Sequence, residues 1–166
     1  MKYILVLTML PLNAFAQANN IYIDQVGNAN NFYIEQKDFG GKNVNVVNEG
    51  DYNVINILQQ GSGNHSATIG SSTTLNSNNS NNIVINQSGA GDHTANVILH
   101  NSSAGVNNNT ANITQSGNAN KSLTVNLTGS GIGFTGLQDN LNTPDTATLS
   151  ITCLTPPCSG YSYIKN

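Results

Sequence analysis

Residues 21–36 read IYIDQVGNANNFYIEQ, and this stretch holds two copies of one short unit. Each copy alternates apolar with other residues and ends in a glutamine, Gln25 or Gln36, and a Gly-x-x-Asn segment joins the copies. The whole frame returns 23 positions later, where Asn48 and Gln59 occupy the places of the two glutamines. A repeat of about 20 to 50 residues is typical of stacked structural units, so the sequence predicts a solenoid.

The composition excludes some classes of protein. The chain has 166 residues, which is the length of one domain. Charged residues make up 8% of it and the net charge is −3, so there is no basic surface for a nucleic acid. Asparagine accounts for 30 residues and glycine for 16, a bias that is typical of chains prone to β-aggregation.

The first sixteen residues are typical of a secretory signal peptide. Lys2 supplies a basic start, residues 4–12 an apolar run, and residues 14–16 an Ala-x-Ala cleavage motif. The apolar run is too short to span a bilayer, which makes a membrane anchor the weaker alternative. We therefore expect an exported protein with a signal peptide at 1–16, a repeat region at 17–152 and a C-terminal tail at 153–166.

Ten candidate strands follow the repeat frame, and all of them alternate with a period of two residues rather than with a helical period. They predict an all-β fold, a two-sheet β-solenoid of about five strand-arc-strand coils with three long loops at 71–82, 100–108 and 128–145. The expected core residues of the best-defined strands are Ile21, Ile23, Phe32, Ile34, Val44, Val46, Ile55, Ile57, Ile83, Ile85, Ala111 and Ile113. The remaining strands are expected to turn inward Ser66, Thr68 and Gly70; Ala95, Val97 and Leu99; Leu123, Val125 and Leu127; and Ala147, Leu149 and Ile151.

Amide side chains at inward positions predict a ladder along the solenoid axis. Stacked coils place each amide about 4.8 Å from the next, where the two side chains can form hydrogen bonds. The expected ladder residues are Gln25, Gln36, Asn48, Gln59, Gln87 and Gln115. The arcs should turn at Gly and Asn, which tolerate positive φ, and the expected arc residues are Gly27, Asn30, Gly50, Asn53, Gly61, Asn64, Gly89, Gly117 and Asn120.

This spacing resembles the curlin repeat, which builds curli fibres and has the form S-x5-Q-x-G-x-x-N-x-A-x3-Q. Residues 25–36 match that form except for Phe32 in the alanine position, and residues 48–59 match it with asparagine in place of the first glutamine. Residues 59–64 and 115–120 match its Gln-x-Gly-x-x-Asn core.

The resemblance covers roughly residues 19–127 and implies a secreted, two-sheet β-solenoid that polymerises into an extracellular amyloid fibre on the cell surface. It further implies a role in adhesion and biofilm matrix, and partners that are other copies of the chain, a second curlin-like subunit and an outer-membrane secretion pore. Whether the chain is a main subunit or a nucleator stays open at this point.

The tail carries the two cysteines of the chain, Cys153 and Cys158. In an exported protein, two cysteines this close favour a local disulfide, whereas a zinc site would need further ligands nearby. Tyr161, Tyr163 and Ile164 are expected to cap the last coil or to form a docking strand.

Residues with catalytic chemistry are few. His65, His93 and His100 do not have metal-ligand spacing, and we expect the first two to be solvated arc residues. Asp24 and Glu35 have outward parity and are more typical of edge charges that prevent uncontrolled strand pairing than of an acid-base pair. Because no Gly-x-Ser-x-Gly motif occurs either, the sequence favours a non-enzymatic protein without cofactor or metal.

Other solenoid proteins remain as alternatives. A monomeric secreted binding protein or adhesin, or a phage fibre component, would also repeat every twenty-odd residues. An ice-binding solenoid should show Thr-x-Thr ranks in frame, and a calcium-binding solenoid should show Gly-Gly-x-Gly-x-Asp; neither pattern is present.

Overall fold

In the residues that the computed structural model describes, the regular structure consists of twelve β-strands and no helix. The signal segment predicted at 1–16 lies outside the described part, as does most of the predicted loops 71–82 and 100–108. The structure describes residues 18–70, 80–100, 108–153, 155 and 158–166, and only the backbone of His100.

The strands alternate between two parallel six-stranded sheets, which confirms the predicted two-sheet β-solenoid. Odd-numbered strands form sheet A and even-numbered strands form sheet B, so each coil contributes one strand to each sheet. Sheet A contains β1 (Asn20–Val26), β3 (Asn43–Glu49), β5 (Ser66–Ile69), β7 (His93–His100), β9 (Lys121–Thr128) and β11 (Asp145–Thr152). Sheet B contains β2 (Asn31–Gln36), β4 (Val54–Gln60), β6 (Asn82–Ser88), β8 (Thr110–Ser116), β10 (Ile132–Gln138) and β12 (Cys158–Lys165).

The core lies between the sheets and consists of columns, by which we mean residues at the same register position in successive strands of one sheet. In sheet B, for example, Ile57 pairs with Ile85 and Ile85 with Ile113. A coil only two strands wide has no interior of its own, so each inward side chain is buried by the coils before and after it. The predicted core residues that the structure buries are Val44, Val46, Ile55, Ile57, Ile83, Ile85, Ala111 and Ile113.

The first coil does not bury its inward residues. Ile21 and Ile23 are 52% and 41% exposed, although both were predicted to lie in the core. Phe32 and Ile34 are only partly buried against the core. The reason is that β1 and β2 are the first strands of their sheets, so no coil formed by described residues covers their outer side.

The fifth strand has the opposite parity to the predicted one. The structure buries Ala67 and Ile69 and leaves Ser66 and Thr68 half-buried on the other face. Ala67 pairs with Val44, and both residues follow a glutamine by eight positions. Distance from the preceding glutamine therefore gives the parity of this strand correctly.

One strand occurs where the sequence predicted none, since β10 lies in the predicted loop 128–145. In the tail, where Tyr161, Tyr163 and Ile164 were expected to cap the last coil or to form a docking strand, the structure contains β12, which pairs with β10. The sequence did not predict β10 because this strand contains glycine, which is unfavourable in strands. Gly136 is nevertheless required there, since a Cβ at this position would lie 2.5 Å from Leu123 Cδ2 and 3.1 Å from the Phe134 ring.

Stacked glycines allow the arcs from sheet B to sheet A to approach each other closely. Gly89 has a φ of +114°, and a Cβ built on it would lie 2.2 Å from the Gly117 carbonyl oxygen. Both the backbone conformation and the space between the arcs therefore demand glycine.

We expect Gly89→Ala to lower the free energy of unfolding by more than Gly160→Ala does. Gly160 also has a positive φ of +89°, but nothing lies within 4 Å of a Cβ added to it. Backbone strain of about 1–2 kcal/mol applies to both variants, whereas the contact with the next arc applies only to the first. Chemical denaturation measures the two losses, and equal losses would show that the arcs do not require this close approach.

Candidate functional site

A ladder of five glutamines runs along sheet B. The Nε2 group of each of the first four glutamines donates a hydrogen bond to Oε1 of the glutamine in the next coil, at 2.8–3.0 Å. All of these glutamines except Gln36 are completely buried. Burial of an unpaired amide would cost about 1–3 kcal/mol, so the hydrogen bonds are needed. The ladder residues are Gln36, Gln59, Gln87, Gln115 and Gln138.

The same amides also join the two sheets. Gln59 Nε2 donates a second hydrogen bond to the Asn43 carbonyl oxygen of sheet A at 3.1 Å, and Gln115 Nε2 does the same to Thr94 at 2.9 Å. The equivalent bonds connect Gln36 with Asn20, Gln87 with Ser66 and Gln138 with Ser122. Each glutamine therefore holds its coil to the next coil and its strand to the opposite sheet.

Sheet A does not contain the amide ladder that the sequence predicted. Gln25 is exposed and its Nε2 group bonds to the Gly27 carbonyl oxygen at 3.3 Å rather than to Asn48. Asn48 is buried, and its Nδ2 group has no hydrogen-bond partner among the described residues. Further along this sheet the frame places leucines, Leu99 and Leu127, in register with each other, so the column becomes apolar.

Asparagines form a second ladder where the chain passes from sheet A to sheet B. Asn30 Oδ1 accepts hydrogen bonds from the backbone N–H and the side chain of Asn53, and Asn53 Oδ1 accepts the same pair from Asn81. Asn81 Oδ1 then accepts from Asn109 N, and Asn109 Oδ1 accepts from Ile132 N at 2.9 Å. The sequence predicted Asn30 and Asn53 as arc residues, and the ladder explains why asparagine recurs there.

The arcs from sheet B to sheet A are linked in the same way. Asn64 Oδ1 accepts from Gly41 N, and Asp92 Oδ1 accepts from Asn64 N, both at 2.8 Å. Asn120 Oδ1 accepts from Asp92 N at 2.9 Å. The five predicted arc glycines all have positive φ, as predicted: Gly27, Gly50, Gly61, Gly89 and Gly117.

A column of buried basic residues stands at the start of the sheet A strands. Lys42, His65, His93 and Lys121 occupy it, and each of them is at most 1% exposed. The lysine ammonium groups bind backbone carbonyl oxygens of the arcs. Lys42 Nζ lies 2.6 Å from Phe39 O and 2.9 Å from Gly61 O, and Lys121 Nζ binds the carbonyl oxygens of Asn140 and Thr143.

The two histidines between these lysines are stacked, with their ring centroids 5.0 Å apart. Their Nε2 groups donate to the carbonyl oxygens of Gln60 and Ser88, whereas neither Nδ1 atom has a partner among the described residues. Burial lowers the pKa of His65 to about 4 and also lowers the pKa of His93. The expectation of solvated arc histidines was therefore wrong, and both rings are neutral members of the core.

Spacing alone could have identified this column. The four basic residues are separated by 23, 28 and 28 positions, and the glutamines Gln36, Gln59, Gln87 and Gln115 are separated in the same way. Lysine is rarely buried without a partner. Carbonyl groups of the arcs, which the sequence does not reveal, serve as those partners.

The N-terminal end of the solenoid, formed by β1 and β2, is an open cross-section of the core. Ile21 and Ile23 continue the columns of Val44 and Val46, yet no strand in the described part of the chain covers them. At this end Gln36 Oε1 accepts no hydrogen bond from any described residue. The only charges along the two edge strands are outward, at Asp24 and at Glu35, which pairs with Lys37 at 2.9 Å.

The C-terminal end, formed by β11 and β12, ends the glutamine ladder differently. Gln138 Nε2 donates to Asp145 Oδ2 at 2.7 Å, and the Tyr163 hydroxyl donates to the same carboxylate at 2.9–3.0 Å. A disulfide joins Cys153 to Cys158, with 5.8 Å between their Cα atoms, and so connects the two strands of this end. Lys165 takes the register position that glutamine holds in the earlier coils.

The described residues contain no group of three or more His, Cys, Asp or Glu side chains arranged for a metal ion. In that same part of the chain, no helix is long and apolar enough to cross a membrane. Comparison of the chain with protein-family models, curated proteins and solved structures finds no match.

We expect Gln87→Ala to destabilise the solenoid by about 3 kcal/mol or more, because it removes the bonds to Gln59, Gln115 and sheet A and leaves a cavity. The matched control is Asn86→Ala, one position away on the exposed face of the same strand, which should change stability by less than about 0.5 kcal/mol. Urea denaturation of both variants measures the difference. Similar losses would contradict the ladder.

We expect stability to fall as the pH falls from 6.5 to about 4, because the unfolded chain takes up protons on His65 and His93 before the folded chain does. Above pH 6.5 the contribution of the neutral rings is complete. For His65 the shift corresponds to roughly 3 kcal/mol at about 1.4 kcal/mol per pKa unit. Denaturation at a series of pH values tests this, and the double variant His65→Leu/His93→Leu should flatten the slope within that window.

Proposed function

We propose that this protein is a secreted structural subunit that polymerises by stacking solenoid ends, and that it forms an extracellular curli-like amyloid fibre used in adhesion and biofilm matrix. A single observation carries the proposal, the uncovered N-terminal end. Ile23 is 41% exposed there, whereas Val46, its register partner in the next coil, is completely buried. A further coil from another copy would bury Ile23 in the way that the neighbouring coils bury Val46.

The energetics of that end favour a partner with the same repeat. Burial of an apolar side chain such as Ile21 or Ile23 contributes about 1.5–3 kcal/mol each. The outer edges of β1 and β2 also present backbone N–H and C=O groups that no described strand pairs with, and such groups are a template for a parallel strand. Because each coil contributes one strand to each sheet, a second copy satisfies both edges at once.

The amide ladders support the same proposal. Gln36 ends the glutamine ladder with a free Oε1 acceptor, so a donor from another chain would extend it. Stacked, in-register amides along parallel strands are the arrangement that stabilises cross-β fibres. The resemblance of residues 25–36 and 48–59 to the curlin repeat points to the same assembly.

Export is consistent with the chemistry of the chain. Residues 1–16 have the pattern of a secretory signal, and disulfides such as Cys153–Cys158 persist in oxidising compartments. Partners of the proposed fibre are further copies of this chain, a second curlin-like subunit and a secretion pore of the outer membrane.

Purified residues 17–166 should form thioflavin-binding filaments with a cross-β reflection at about 4.7–4.8 Å. Ile23→Asp places a charge on the inward face of the N-terminal end and should abolish growth or greatly lengthen the lag. Tyr22→Asp, an exposed change with outward parity on the same strand, should have little effect.

Filament formation is followed by thioflavin fluorescence, electron microscopy and fibre diffraction. A chain that stays monomeric for days with an unchanged circular dichroism spectrum would contradict the proposal and favour a monomeric secreted solenoid, such as an adhesin. Equal effects of the two aspartate variants would contradict the assignment of the N-terminal end as the stacking surface.

A further inference from the structure

We propose that the Cys153–Cys158 disulfide completes the C-terminal end as a docking surface for the N-terminal end of a second copy, so that the chain stacks only after oxidation. This inference rests on the proposed function. It concerns β11 and β12, the two strands that the disulfide connects.

β12 is the last strand of sheet B and has a neighbouring strand on one side only. It pairs only with β10, and the register between the two strands shifts between Ile132 and Phe134. Most of its residues are exposed, and one side-chain hydrogen bond, from Tyr163 to Asp145, connects it to sheet A. The disulfide adds a covalent connection to Cys153, which is 6% exposed and packs in the core. Because β12 has a neighbouring strand on one side only, it depends more on that bond than an interior strand would.

Loss of β12 would leave the two sheets with different numbers of strands. With β12 in place each sheet has six strands, so both sheets end at the same height, which we call a level end. Without it, sheet A would extend one strand beyond sheet B. The N-terminal end of a second copy presents β1 and β2 side by side, so both of them can pair only with a level end.

The oxidised end continues the columns of the N-terminal end in register. Tyr163 and Leu149 face the core at positions that a second copy would cover with its Ile34 and Ile23. Lys165 occupies the glutamine position and carries a donor that fits the free Oε1 of Gln36. The N-terminal and C-terminal ends of the molecule therefore match each other in both the core columns and the glutamine position.

The oxidation step is a thiol–disulfide exchange. The thiols of Cys153 and Cys158 lose two protons and two electrons, their S–H bonds break and the S–S bond forms. The oxidant is the disulfide of an exchange partner, which accepts those electrons and protons and becomes a dithiol. In a reducing compartment the bond does not persist, and stacking would be prevented before export.

The test measures elongation of sonicated seeds, grown from oxidised chain, by three full-length monomers: the oxidised chain, the chain reduced with a phosphine, and Cys153→Ser/Cys158→Ser without reductant. We expect the last two to elongate seeds roughly tenfold more slowly or worse, because the bond stabilises the last coil by more than the 1.4 kcal/mol that a factor of ten requires. Hydrogen exchange on the reduced monomer should show loss of protection confined to β12.

Each outcome decides the matter. No filaments from the oxidised chain would overturn the proposed function together with this inference. Filaments that grow equally fast from all three monomers, or faster without the bond, would overturn the inference alone. Exchange that rises throughout the core of the reduced chain would also overturn it, because the bond would then hold the whole fold rather than the last strand.

Discussion

The two amide hydrogens of each sheet B glutamine have different partners, and the rest of the solenoid depends on this division. One hydrogen reaches the glutamine of the next coil and the other reaches a backbone carbonyl of the opposite sheet. A carboxamide suits this role because it has two donors and one acceptor on one planar group, so copies related by translation bond to each other. A coil only two strands wide has little apolar area to hold its faces together. The ladder fixes both the spacing of the coils and the separation of the sheets, and the apolar columns then pack in register.

The sequence was sufficient for the repeat but not for every element that follows it. Gln36, Gln59, Gln87 and Gln115 were predictable because the apolar alternation before each one identifies a strand and its inward end. Gln138 was missed, since the segment before it contains glycines, and the reason for Gly136 lies in the Leu123 side chain of β9, whose Cδ2 would lie 2.5 Å from a Cβ at position 136. A residue type favoured by a neighbour in another strand leaves no local signal.

The buried lysines were not predicted from the sequence, and the cause of their burial is electrostatic. Backbone carbonyl oxygens of the arcs surround the ammonium group of Lys42. The histidines of the same column lack such partners at Nδ1 and stay neutral. Lysine and histidine in this column therefore differ in the backbone carbonyl groups that surround them. The positions of those carbonyl groups depend on the conformation of the arcs and not on composition.

Coil length is not fixed in this solenoid. Gln59 and Gln87 are 28 positions apart, whereas Gln36 and Gln59 are 23 apart, yet both pairs form ladder bonds of 2.8–3.0 Å. The five additional residues fall in the connection between β5 and β6, outside the ladder. Foreign peptides placed in that connection would therefore leave the ladder register intact. If copies stack, such a peptide would recur once per subunit along one side, which makes the chain suitable as a scaffold for regularly spaced display of epitopes or enzymes.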